Sequence, residues 1–142
     1  MCAGLADFGS KEELFSQVLC SGERGVDVIG SELDGLPERV ADLMLDPAEE
    51  KSMEDILIIL NSSASPIAGP MVRESIDERF HHPFAEVIGG ENSVLRAKLL
   101  GAMLLGISIS QKTSQGFKVD ETVRDALKGR IADIVALAIK PI

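Results

Sequence analysis

The chain has 142 residues, a formal net charge of −9 and 45% apolar residues, with five Phe and neither Trp nor Tyr. That length suffices for one domain, residues 1–142, with a core that needs no metal or disulfide support. The acidic balance has the wrong sign for a surface that neutralises phosphates, so this chain alone is not expected to bind nucleic acid. The aliphatic filling points to packed helices.

Cys2 and Cys20 are too few for a disulfide framework or a zinc cluster, which favours a reduced, cytoplasmic setting. The opening MCAGLADFG has neither a basic n-region nor an apolar h-region, so it does not read as an export signal. The longest uncharged stretch, Leu99 to Gln111, is shorter than the roughly 20 residues that span a bilayer, and is expected as a buried helix without a membrane role.

In chain order, Ser10 with Glu13 forms a capping box ahead of Leu14 and Phe15. Phe15, Val18, Gly22, Val26, Ile29 and Leu33 then keep helical phase, predicting one long helix that Asp34-Gly35 ends. Pro37 opens a short helix with Leu36, Val40, Leu43 and Met44 on one face, and Asp46-Pro47 stops it. Asp46, Pro47 and Glu49 start the next, whose stripe is Met53, Ile56, Leu57 and Leu60. After a loop ending at Pro66, Val72, Ile76, Phe80, Phe84 and Val87 mark a helix that Pro83 should bend near Arg79 and that Gly89-Gly90 closes.

The helix expected from about Asn92 to Gln115 is apolar or small on every side between Leu99 and Ile109, so it cannot keep one face in water. Ala97, Gly101 and Gly106 would let another backbone approach. The last helix, Glu121 to Ile139, has Val123, Leu127, Ile131, Ile134, Val135 and Ala138 on one stripe and Arg124, Lys128 and Arg130 on the other face. A short chain can hardly enclose a helix all round. A homodimer is therefore expected, with the last two helices of each subunit forming a four-helix interface that buries on the order of 2,000 Å² or more. Its residues would be Ala97, Gly101, Leu105, Gly106, Ile109, Leu127, Ile131, Ile134, Val135 and Ala138.

The stretch "DFGSKEELFSQVL" resembles the segment that joins the DNA-binding head to the regulatory body in TetR-family transcriptional regulators, with Asp7 where the family usually has His or an aromatic. The Pro-interrupted "RFHHPFAEVIGG", the apolar "LRAKLLGAMLLGISIS" and the terminal amphipathic helix follow the same organisation. The resemblance implies a TetR-like C-terminal bundle of about six helices that dimerises. It also implies that DNA binding belongs to a helix-turn-helix head, which this sequence does not contain. A probable repressor would follow, in which an effector turns the long first helix and so shifts two DNA-reading heads.

The resemblance further implies a cavity for a small, probably hydrophobic effector. Met44, Met53, Leu57, Leu60, Phe80, Phe84 and Met103 are the candidate lining, methionine being adaptable, although each taken singly reads more readily as a core residue. Asn61, Ser62, Ser63 and His81 could add polar groups. Adjacent His81 and His82 point about 100° apart on a helix and cannot share an ion, and only Glu78 to His82 has ligand spacing, so no metal and no cofactor is expected. Without a nucleophile motif or a phosphate loop, no enzyme is expected either. A headless relative acting by protein interaction and an unrelated helical bundle remain as alternatives.

Overall fold

The computed structural model describes residues 29–46, 62–114 and 118–142, and no strand occurs among them. The elements in order are α1 (Leu36–Met44), α2 (Ala68–Ile76), a π-helical turn (Asp77–His81), α3 (His82–Ile88), α4 (Ser93–Ser114) and α5 (Glu121–Ile139). Four of the six expected helices are thus present, the second of these four as α2, the π turn and α3. The other two lie outside the described residues apart from Ile29. The all-α class holds.

α4 runs through the centre and is touched by α1, the π turn, α3 and α5. The core joins Leu36 and Val40 of α1, Phe84 and Ile88 of α3, Ala97 and Leu100 of α4, and Ile131 and Val135 of α5. Phe84, Leu36, Leu100, Val40 and Val135 are its largest fully enclosed side chains. Each contributes about 1.5–3 kcal/mol by leaving water. α2 has its own small cluster of Ala68 and Val72 with Met71 and Ile76.

The first helix ends earlier than its apolar phase suggests. Ile29 is helical, but Gly30 takes φ 104°, a conformation open to glycine, and the chain turns away before Leu33. Arg39 of α1 holds this turn: Nε–H donates to Ile29 O at 2.9 Å, Nη1 to Asp34 O at 2.7 Å, and Nη2 to Glu32 O. Leu33 is left exposed.

Pro83 acts where expected, by a different geometry. It lacks an N–H and its ring would press on the carbonyl of Arg79, and the helix answers with the wider π turn over Asp77–His81 immediately before it. Gly89, Gly90 and Asn92 all have positive φ and make the sharp turn into α4.

Arg96 anchors that turn. Only 3% exposed, it has no carboxylate partner among the described residues and donates to backbone carbonyls alone. Nε–H reaches Glu91 O at 3.2 Å, Nη1 reaches Ile139 O at 2.8 Å, and Nη2 reaches Glu91 O at 2.8 Å and Gly89 O. The bond to Ile139 also fixes the start of α4 beside the end of α5, so the two helices run antiparallel.

The basic residues of α5 are not all on an outer face. Arg124 donates to Leu45 O at 2.6 Å and Lys128 pairs with Asp42 of α1, leaving Arg130 exposed.

Replacing Arg96 by Met should destabilise the fold by about 2–4 kcal/mol, because buried carbonyls lose their donor. Lys should recover little, since one ammonium cannot reproduce the fork. Urea unfolding followed by circular dichroism measures both.

Candidate functional site

Of the effector-cavity candidates, Met44, Phe80, Phe84 and Met103 fall within the described residues. Phe84 is fully buried, its ring centroid 4.6 Å from that of Phe80, and is a core side chain with no surface left for a ligand. Met44, Phe80 and Met103 are half-buried and pack on the same core. Met53, Leu57, Leu60 and Asn61 lie outside the described residues.

Two polar side chains that sequence reasoning passed over approach Met44. Ser108 Oγ–H donates to Met44 Sδ at 3.9 Å, and Gln111 Nε2 donates to Met44 O at 2.6 Å. Their spacing on α4 was readable, but the partner more than sixty residues away was not. Ser62 is half-buried and Ser63 exposed. Ser65 marks the approach to α2, its Oγ accepting from Ala68 N–H at 3.2 Å.

His81 stands beside Phe80. Its Nδ1 bonds Asp77 Oδ1 at 2.6 Å, and its ring stands edge-on to Phe80. Gly101 of α4 lies against both rings: a Cβ there would come within 3.0 Å of Phe80 Cε1 and 3.5 Å of His81 Nε2. The hydrogen bond from His81 is the main reason the Asp77 carboxyl is held below its ordinary 3.8, against the opposing effect of burial. Arg79, on the same turn, is lowered by burial. No group of three or more potential metal ligands occurs among the described residues.

A separate concavity of about 1030 Å³ opens between the 33–38 turn, the Gly89–Glu91 turn and the C-terminal end of α5. None of the expected cavity residues lines it.

The residues expected at an interface divide. Ala97, Ile131, Val135 and Ala138 are buried in the chain's own core and have no surface to offer a partner. Leu127 packs on that core from its edge, and Gly101 is occupied by Phe80 and His81. Leu105 and Ile109 are half-exposed, Ile134 is exposed, and nothing stands within 4 Å of a Cβ built on Gly106. Leu95, Leu99, Val123 and Leu137, which the expected interface did not include, are exposed as well.

On α4 the open residues Leu95, Leu99, Ala102, Gly106 and Ile109 follow one another at alternate steps of four and three, opposite the buried Ala97, Leu100, Leu104 and Ser108. That spacing is the seam by which one helix packs along another at a shallow angle. Val123, Ile134 and Leu137 extend the apolar surface onto α5.

Residues 34–138 match the family model of the tetracyclin repressor-like C-terminal domain, and the chain belongs to that family. No curated protein and no solved structure matches it.

Because the folded Asp77 value is depressed, the pair stabilises the fold above the unfolded value near 3.8 and is lost as pH falls through the folded value. Asp77→Asn should therefore be less stable than the parent at neutral pH, and the difference should begin to shrink at about pH 4 and vanish only once the pH has fallen below the lowered folded value. Thermal unfolding across a pH series checks this.

Proposed function

We propose that this chain is the dimerising, effector-sensing regulatory body of a TetR-like transcriptional regulator acting in the cytoplasm. What supports dimerisation most is the open seam Leu95, Leu99, Ala102, Gly106 and Ile109 with Ile134 and Leu137 beside it. A run of large apolar side chains on one helix face marks an interaction surface. Two copies packed by α4 and α5 would bury it in a four-helix interface, with Ala102 and Gly106 allowing close approach.

The same face bears on the membrane alternative. Ser93–Gln111 has the length and a mean hydropathy, 1.4, that would let it cross a bilayer, since the segment runs on past Lys98 and Arg96. Core helices of soluble proteins share that property, and the family consists of soluble regulators. Arg96, buried among carbonyls of neighbouring turns, favours the bundle.

A small apolar effector would bind among Met44, Phe80 and Met103, with Met53, Leu57 and Leu60 as further lining. Gln111, Ser108 and His81 would supply the few polar contacts such a site uses. The domain would regulate without catalysing, as a repressor whose DNA contacts are made by a helix-turn-helix head.

Sedimentation velocity tests the assembly. The chain should sediment as a dimer, and Leu99→Glu, at a side chain 53% exposed in the single chain, should give a folded monomer. Leu137→Glu serves as the second disruption. A parent that stays monomeric at high micromolar concentration, or variants that stay dimeric, would overturn the proposal.

A further inference from the structure

We infer that the cleft between α1, the Gly89–Glu91 turn and the end of α5 binds a small organic cation with an aliphatic body. Its apolar surface comes from Leu33, Pro37, Ile88, Ile139 and Ile142. Two of these, Leu33 at 46% and Ile142 at 75%, are large side chains left in water. An aliphatic group laid in the cleft would cover them.

Charge selects the sign of the ligand. Asp34, Glu38 and Glu91 line the cleft, and none has an ion-pair partner among the described residues. Arg96, the basic residue of the lining, and Arg39 beside the cleft are already engaged. Arg39 donates to Ile29, Glu32 and Asp34 carbonyls, and Arg96 to those of Gly89, Glu91 and Ile139. Arg96 moreover sits at the C-terminal ends of α3 and α5, whose partial negative charge opposes its own. An anion would meet three carboxylates, whereas a cation would meet attraction.

A metal ion is the poorer occupant, because these carboxylates do not gather into a ligand cluster. A diffuse ammonium needs no such convergence. The volume, about 1030 Å³, suits a drug-sized molecule. Exposed carboxylates are screened and individually weak, so the aliphatic body supplies most of the affinity and the charges supply discrimination.

The test uses the whole chain and three probes of equal length: decyltrimethylammonium below its micellar concentration, decanoate and decanol. In amide-detected NMR titrations decyltrimethylammonium should shift Gly89, Gly90 and Ile142, while decanoate leaves them in place. Glu38→Gln together with Glu91→Gln, both exposed and unpaired, should weaken binding about fivefold while keeping the fold. The assignment is overturned if no probe shifts these signals, if decanoate or decanol binds as tightly, if the double variant binds unchanged, or if the shifts gather at Phe80 and Met103. None of these outcomes touches the dimer proposal, which sedimentation tests on another face.

Discussion

The fold depends on how helix ends are closed. A helix finishes with carbonyls that lack intrahelical donors, and burying them unpaired is costly. Here arginines from other elements supply the donors. Arg39 reaches back to Ile29, Arg96 joins Gly89 after α3 to Ile139 of α5, and Arg124 reaches Leu45 after α1. Gln111 does the same for Met44. Each bond satisfies an end and ties two elements together, so positions that apolar packing alone would leave free to slide are fixed. Arg96 matters most: it is the one buried cation among the described residues, and it sets α3, α4 and α5 against one another.

With the ends fixed, α4 can be apolar on both sides for different reasons. Its inner face, Ala97, Leu100 and Leu104, completes the core. Its outer face, Leu95, Leu99, Ala102 and Gly106, is exposed. The inner face gives the helix a rigid seat, and the seat holds the outer residues in line. A seam on a floppy helix would lose side-chain and backbone entropy on association; a seated one loses less.

How much of this was legible follows from what each signal measures. The last two helices, expected over Asn92–Gln115 and Glu121–Ile139, were readable almost to the residue, because Gly89-Gly90 and the apolar runs are local features. The end of the first helix was not. Leu33 falls in phase with Ile29, and nothing nearby reveals that Arg39 would close the turn at Gly30. At the interface the difficulty was phase. On α4, apolar all round, nothing local told which face turns inward, so Ala97 was placed at the expected interface; on α5 the single apolar stripe was assigned whole to a partner, although Ile131, Val135 and Ala138 are buried within the chain. Only the four-three spacing of Leu95, Leu99, Ala102, Gly106 and Ile109 carried the distinction. In the candidate effector site the methionines and Phe80 were legible as adaptable apolar side chains. Gln111 and Ser108 were not, because their role comes from meeting Met44 across the fold.

Charge is divided along the same lines. The chain carries 14 basic and 23 acidic residues, and of the basic ones Arg39, Arg96, Arg124 and Lys128 are spent on internal contacts. Carboxylates remain in surplus, with a formal net charge of −9. Two copies of so acidic a body repel at long range, and a Debye length of about 8 Å at physiological ionic strength limits that repulsion to the approach. An interface between them has to be apolar, and α4 provides such a face, with Lys98 at its border as a cation on that side of the helix. The inward use of arginine and the outward use of leucine are thus one arrangement: cations close the helix ends, and the face left without charge is the one on which like-charged copies can meet.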